Sequence, residues 1–387
     1  VLELLTSVWF FSSHTSDSYL NFPEKTAQVI VKRDDRTIAE SQLEQAMQLY
    51  REGTHDSLQQ AIDRWKQTIP LWRKLGDRAS EAQTLNKIGY VYSFLADKIT
   101  ALNYYQPALK IASEIGDRSQ QITILNNIGR VYDDIGERQK ALQHYQQALT
   151  VVRQIGDRSG EVTVLNNLGK VYENIGEHQR SLSYYQKALT IAHQIGDRAG
   201  EITVLNNLGK VYDHSGDKYH AIQSYSQSLS LIQHHHDRSI EAKTLNNLGY
   251  LYSSLGEKAK ALEYYQQSLA LNRELGDRTG LIVIFNNLGH LYVSLANNQK
   301  ALDSYNQSLY FSRQLGDRFN EAITLYNIAL LNSDRGNIDE AIAQLEAALT
   351  ILEKKDNKEN NRAIVSKSLL DLQQSYYQFY RDSLKLK

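Results

Sequence analysis

The chain has 387 residues with 43 basic and 44 acidic side chains, a balance that excludes a dedicated nucleic-acid or anionic-membrane binder, which needs a clear basic excess. The absence of cysteine excludes disulfides, a thiol nucleophile and every Cys-based zinc or iron–sulfur site. Three prolines and a 41% hydrophobic content suit a mostly helical protein, and no apolar run approaches the roughly 18 residues of a membrane span.

The opening from Val1 to Phe11 is apolar, carries Glu3 and lacks a basic leader, so it reads poorly as a secretory signal. Val1 begins the chain and Met47 is the only methionine. Residues 1–36 are therefore expected to be an irregular remnant of something longer, and the compartment is expected to be cytoplasmic. A first, imperfect unit follows, with Ala61 and Trp65 on its second helix. Gly53 to Gly76 runs three residues longer than the matching interval in later units, and the extra residues are expected in the helix–helix turn.

From Gly76 the chain repeats. Gly76-Asp77-Arg78 recurs at Gly116, Gly156, Gly196, Gly276 and Gly316, with His236-Asp237-Arg238 in the remaining slot and a constant spacing of 40 residues. An Asn-Asn-(Leu/Ile)-Gly block accompanies it at Asn126-Asn127, Asn166-Asn167, Asn206-Asn207, Asn246-Asn247 and Asn286-Asn287. A fixed period of this length is a solenoid signature. Within one unit, Asp157 to Ile175 reads as a first helix and Glu177 to Ile195 as a second. The Asp is a good N-cap, and Gly156 and Gly176 sit where a helix must stop. Leu165, Leu168, Gly169 and Tyr172 fall on one buried face, as do Ala141, Tyr145 and Ala148 of the preceding second helix. The array is expected over 37–350. Its last unit degrades, with Ala329 for Gly, Asn332 for Tyr and Leu345 for Tyr, as terminal repeats do. Residues 351–387 are expected to form a closing helix.

On these residues the sequence resembles the tetratricopeptide family, in its longer-repeat branch that includes kinesin light chains. The matching positions are Leu165, Leu168, Gly169 and Tyr172, then Ser181, Tyr185 and Ala188. The resemblance implies an all-α, right-handed solenoid of about eight helix pairs plus the closing helix. It also implies a concave groove lined by the first helices. That groove would carry an asparagine ladder, to which Tyr90, Arg130, Lys170, Lys210, Tyr250 and His290 add a basic middle and aromatic ends.

Asparagine suits peptide capture, because its amide both donates and accepts and can mimic a neighbouring strand. Lysine and arginine would select acidic side chains or a carboxylate terminus. A plainer role stands beside this: Asn166 and its equivalents can bond across to the next repeat and lock the array. The second Asn of each pair points more squarely into the groove. Asp133, Glu173 and Asp213 lie three residues after the basic positions and could form ordinary solvated ion pairs.

His234-His235-His236, with His214 and His220 nearby, could suggest a metal site. Consecutive helical residues diverge by about 100°, so the run cannot converge on one ion unaided. Asp-Arg in every turn is a repeated cap rather than a catalytic constellation, which is assembled once. No P-loop, GxGxxG, HExxH or GxSxG pattern occurs. No enzyme activity, metal or cofactor is expected.

The ends carry a second resemblance. Arg51-Glu52-Gly53-Thr54-His55-Asp56, with Pro70-Leu71-Trp72-Arg73-Lys74-Leu75-Gly76, is similar to the entry repeat of cyanobacterial CHAT proteins. In these a caspase-like peptidase follows a tetratricopeptide array. Asp371 to Ser375 and Tyr376 to Asp382 resemble the helix leading into that peptidase. Its His/Cys pair has no counterpart among these residues. The expectation is a protein-interaction scaffold for a protein or peptide partner. The alternatives are a sensor arm for such a peptidase in cis, or a structural spacer.

Overall fold

The computed structural model describes residues 24–232 and 237–353. His234 to His236, the closing helix expected over 351–387 beyond residue 353, and the segment from Asp371 to Asp382 lie outside them. The described residues form sixteen α-helices and no strand. The chain divides into two compact units at Ile155/Gly156.

The first unit comprises α1 (Glu24–Glu52), α2 (His55–Leu75), α3 (Arg78–Phe94), α4 (Lys98–Glu114), α5 (Arg118–Asp134) and α6 (Arg138–Ile155). The second comprises α7 (Arg158–Ile175), α8 (His178–Ile195), α9 (Arg198–His214), α10 (Lys218–Ile232), α11 (Arg238–Ser254), α12 (Lys258–Leu275), α13 (Arg278–Ser294), α14 (Asn298–Leu315), α15 (Arg318–Asp334) and α16 (Ile338–Glu353). In each unit a helix packs first on its hairpin partner and then on the next pair. Each unit is thus an α-solenoid segment.

Local chemistry dictates these boundaries. Asp157 Oδ1 accepts from the Gly160 N–H at 2.8 Å, satisfying a first-turn donor. At the other end of α7, Gly176 takes φ 87°, a left-handed conformation that side chains resist. Between paired helices, glycine is required for closeness: a Cβ on Gly169 would stand 2.7 Å from the Tyr185 ring. Ser181 Oγ then donates to the Gly169 carbonyl at 2.8 Å. Tyr172 and Tyr184 stack at 5.3 Å and fill the wedge beside them.

Two expectations need correction. Residues 24–36 are not irregular but belong to α1. No glycine or proline occurs between Glu24 and Glu52, so nothing in the backbone stops the helix at residue 37. The three extra residues before Gly76 lengthen α2, which has 21 residues against 17 in α4, rather than the turn. Thr54 caps α2 at its first possible residue, in a reciprocal capping box with Ser57. The added turn of helix therefore forms with both ends satisfied.

Candidate functional site: the first-helix face

In each unit, the odd-numbered helices from α3 onward carry the asparagine positions, half-buried except for Asn286 and Asn327, which are buried. In the first unit, Asn127 Nδ2 donates to Asn86 Oδ1 at 3.0 Å. In the second, Asn207 donates to Asn166 at 2.7 Å and Asn287 to Asn246 at 2.8 Å. The bridge across repeats therefore engages both members of the pairs. The second asparagine, which the spacing turns toward the groove, spends one N–H on this lock. Among the described residues, its other N–H and its carbonyl have no partner.

Within the second unit one rung is missing. Thr244 Oγ1 donates to Asn206 Oδ1 at 2.8 Å, while Asn206 Nδ2 reaches Ser228 Oγ at 2.7 Å. Asn247 makes no hydrogen bond among the described residues, whereas Asn286 Oδ1 accepts from both Thr324 Oγ1 and Asn327 Nδ2 at 3.3 and 3.4 Å. Asn286 is similarly absorbed into the framework, donating to Ser308 Oγ at 2.7 Å.

The charged and aromatic positions are less free than their spacing suggests. The Arg130 guanidinium lies 5.0 Å over the Tyr90 ring, and Tyr90 meets Tyr50 edge-on at 6.4 Å. Lys170 and Lys210 are exposed. Lys210 Nζ lies 2.8 Å from Glu173 Oε1, a carboxylate of the preceding repeat whose side chain is 5% exposed. Its own neighbour Asp213 pairs instead with Lys218. The ion pairs thus run between repeats and between hairpin partners, because the first helices of adjacent repeats lie side by side. Tyr250 is 54% exposed. His290 packs edge-on to Tyr305 at 5.6 Å, and desolvation holds its pKa below the usual imidazole range, which keeps it neutral at pH 7.

A further recurrent feature lies beside this face. Glu81, Glu161, Glu201 and Glu321 are buried at the start of their helices. Glu81 accepts from Arg73 and Arg78, each at 2.7 Å. Glu321 does so from Arg313 and Arg318 at 3.0 and 2.8 Å, and Glu201 is held by Arg198 at 2.7 Å and by His193 at 2.9 Å. In these four repeats the Arg that follows the capping Asp is thus a clamp on a buried carboxylate three residues on, whereas Arg118 meets Gln121 instead. The spacing Asp-Arg-x-x-Glu carried that signal in the sequence. At residue 281 the carboxylate is replaced by leucine.

A tetratricopeptide-repeat model matches residues 99–154, 160–234, 221–274, 240–314 and 280–354, more than half of the chain. The chain belongs to the tetratricopeptide-repeat family. No curated protein matches it by sequence. Among solved structures, apo RapI is similar at 18% identity and a TM-score of 0.57, covering 72% of this chain and 99% of that one. A Rap conjugation gene regulator of plasmid pLS20, in complex with the Phr* peptide, is 15% identical with a TM-score of 0.55, covering 82% and 95%. The STAND protein PH0952 from Pyrococcus horikoshii, with a tetratricopeptide repeat sensor, is 16% identical with a TM-score of 0.56; the match covers 86% of this chain and 55% of that protein. At these identities the likeness is one of fold. Among the described residues, no helix is long and apolar enough to cross a membrane, and no three His, Asp or Glu side chains group to hold a metal ion.

Proposed function

We propose that the array is a non-catalytic scaffold that binds an extended peptide segment of a partner protein along the first-helix face. The observation that carries this reading is the row of half-buried asparagine amides. Each of Asn127, Asn207 and Asn287 spends one donor on its neighbour and keeps one donor and one acceptor for an incoming backbone. Asn167 and Asn247 occupy the same position. Arg130, Lys170 and Lys210 bias the face toward acidic segments, with the Lys210 charge shared with Glu173. That a Rap protein of similar fold is in complex with a peptide supports the same mode here.

The test is the double variant Asn167→Leu with Asn207→Leu, titrated with a pool of capped, acidic, extended peptides. The expected result is loss of binding with helical content unchanged. Undiminished binding would contradict the proposal.

A second reading, in which the array is the sensor arm of a CHAT-type peptidase, rests on the stretch from Arg51 to Gly76. The structure of PH0952, whose repeats are described as a sensor, is a parallel in fold. Sequencing the native gene past codon 387 tests it: an open frame encoding a His/Cys peptidase domain supports it, and a stop codon removes it.

A further inference from the structure

One repeat junction differs from its siblings in a way the general groove does not require. Between α11, α12 and α13 lies a cleft of about 510 Å³, lined among others by Lys243, Asn247, Asn272, Asp277, Gly280 and Val283. Asn272 stands at a core position that in the four preceding repeats holds Ala112, Val152, Ala192 and Ile232, and in the next holds Ser312, whose hydroxyl is spent on the Ser308 carbonyl. It is 4% exposed. Its Nδ2 donates to the Ser268 carbonyl and hydroxyl at 2.8 and 3.2 Å, which uses both amide hydrogens. Its Oδ1 accepts no N–H or O–H among the described residues. This oxygen borders the cleft and is open to an incoming donor.

The second acceptor is close by. A Cβ at Gly280 would stand 1.9 Å from Asn272 Oδ1 and 2.9 Å from Asp277 Oδ2, so the two oxygens are less than about 5 Å apart across this glycine. Asp277 Oδ1 is occupied by the Gly280 N–H at 2.9 Å, whereas Oδ2 has no donor among the described residues. Two acceptors at this separation match the two diverging hydrogens of one primary amide nitrogen, each N···O distance being about 2.9 Å. Donors line the same cleft: among the described residues Lys243 pairs with no carboxylate and the Asn247 amide has no hydrogen-bond partner.

We infer that this cleft is a subsite for the side-chain carboxamide of a glutamine or asparagine in the bound peptide. Its nitrogen donates to Asn272 Oδ1 and Asp277 Oδ2, and its oxygen accepts from Lys243 Nζ and Asn247 Nδ2. A carboxylate side chain leaves the Asn272 carbonyl unpaired and meets Asp277; an ammonium or guanidinium meets Lys243. Only a group that is neutral, with a donor and an acceptor end, satisfies all four partners. A site built to hydrogen-bond its ligand rejects analogues lacking the matching groups. The subsite rests on the groove reading above and adds a residue preference to it.

The test uses the full chain and four capped pentapeptides, Ala-Ala-X-Ala-Ala with X glutamine, glutamate, lysine or leucine. Binding is read from the backbone amide resonance of Gly280 and the side-chain amide resonance of Asn247. The expected result is a saturable shift with the glutamine peptide at least about tenfold tighter than with the other three. Asn272→Ala, which copies Ala112 and Ala192 and therefore folds, should erase the preference. Lys243→Thr, which copies Thr163 and Thr203, should weaken glutamine binding severalfold. Equal binding of all four peptides, or no shift at Gly280 with any of them, overturns the subsite. The groove reading survives either result if the acidic peptide pool still binds and still depends on Asn167 and Asn207.

Discussion

The junction entering α9 and the junction entering α13 occupy the same place in the 40-residue period, yet they solve it differently. At the first, Glu201 is buried and held by Arg198 and His193. At the second, Leu281 fills the carboxylate position, Arg273 turns to lie 5.9 Å over the Phe285 ring, and Phe285 stacks on Phe311 at 6.1 Å. The core there is apolar where its sibling is ionic, and the polarity reappears beside it in Asn272 and the cleft. Features that every junction keeps belong to the framework; features one junction abandons are where this array can be particular about what it binds.

The helix–helix approach is common to both junctions, and breaking it should have the largest effect. Gly289→Val places a side chain where a Cβ alone would be 2.3 Å from the Tyr305 ring. The loss should be about 2–3 kcal/mol, read from hydrogen exchange in α13 and α14. Exchanging the junction types comes next. Glu201→Leu leaves Arg198 and His193 without their shared acceptor and should cost about 1–2 kcal/mol. Leu281→Glu, which restores a carboxylate near Arg273 and Arg278, should change stability by less than about 1 kcal/mol. Urea titration of both variants checks the asymmetry.

The asparagine ladder sharpens the contrast further. Asn207→Ala removes a bridge and should lose about 1 kcal/mol. Asn247→Ala removes a side chain with no hydrogen-bond partner among the described residues and should lose less than about 0.5 kcal/mol. Equal losses would mean that the missing rung is energetically no different from the others. The smallest effect concerns pH. His144 stacks on Tyr132 at 5.4 Å, and desolvation holds its pKa below the usual imidazole range. The unfolded chain therefore takes up this proton first as pH falls. Stability from this group is complete above about pH 6.5 and declines below it, by less than about 1 kcal/mol, until the folded-state pKa is passed. His144→Tyr, which matches Tyr104, Tyr184 and Tyr264, should remove that share of the slope in urea midpoints between pH 7 and 5.

Much of the fold was legible because each unit states its own boundaries. The Asp caps, the left-handed glycines and the Gly169–Tyr185 approach are all local, and a period of 40 repeats them. The start of α1 was not legible, since a helix without a stop signal has no visible edge. The face of the asparagines follows from helical angle, but what their amides touch does not. Whether Asn207 meets Asn166, or Thr244 takes the Asn206 acceptor first, depends on how neighbouring repeats are set against each other. The cleft at Asn272 was hidden for the same reason: its four polar walls come from two helices and the cap between them and α13, and only the departure from Ala112, Val152 and Ala192 marks the place.

The claim that peptides lie along the first-helix face is tested most directly by photo-crosslinking. A benzophenone side chain placed at Lys210, on that face, or at Lys187, on the exposed side of α8, is irradiated with the capped acidic peptide pool. The account predicts crosslinked peptide from position 210 and little from 187. Crosslinking mainly from 187, or equally from both, would contradict it.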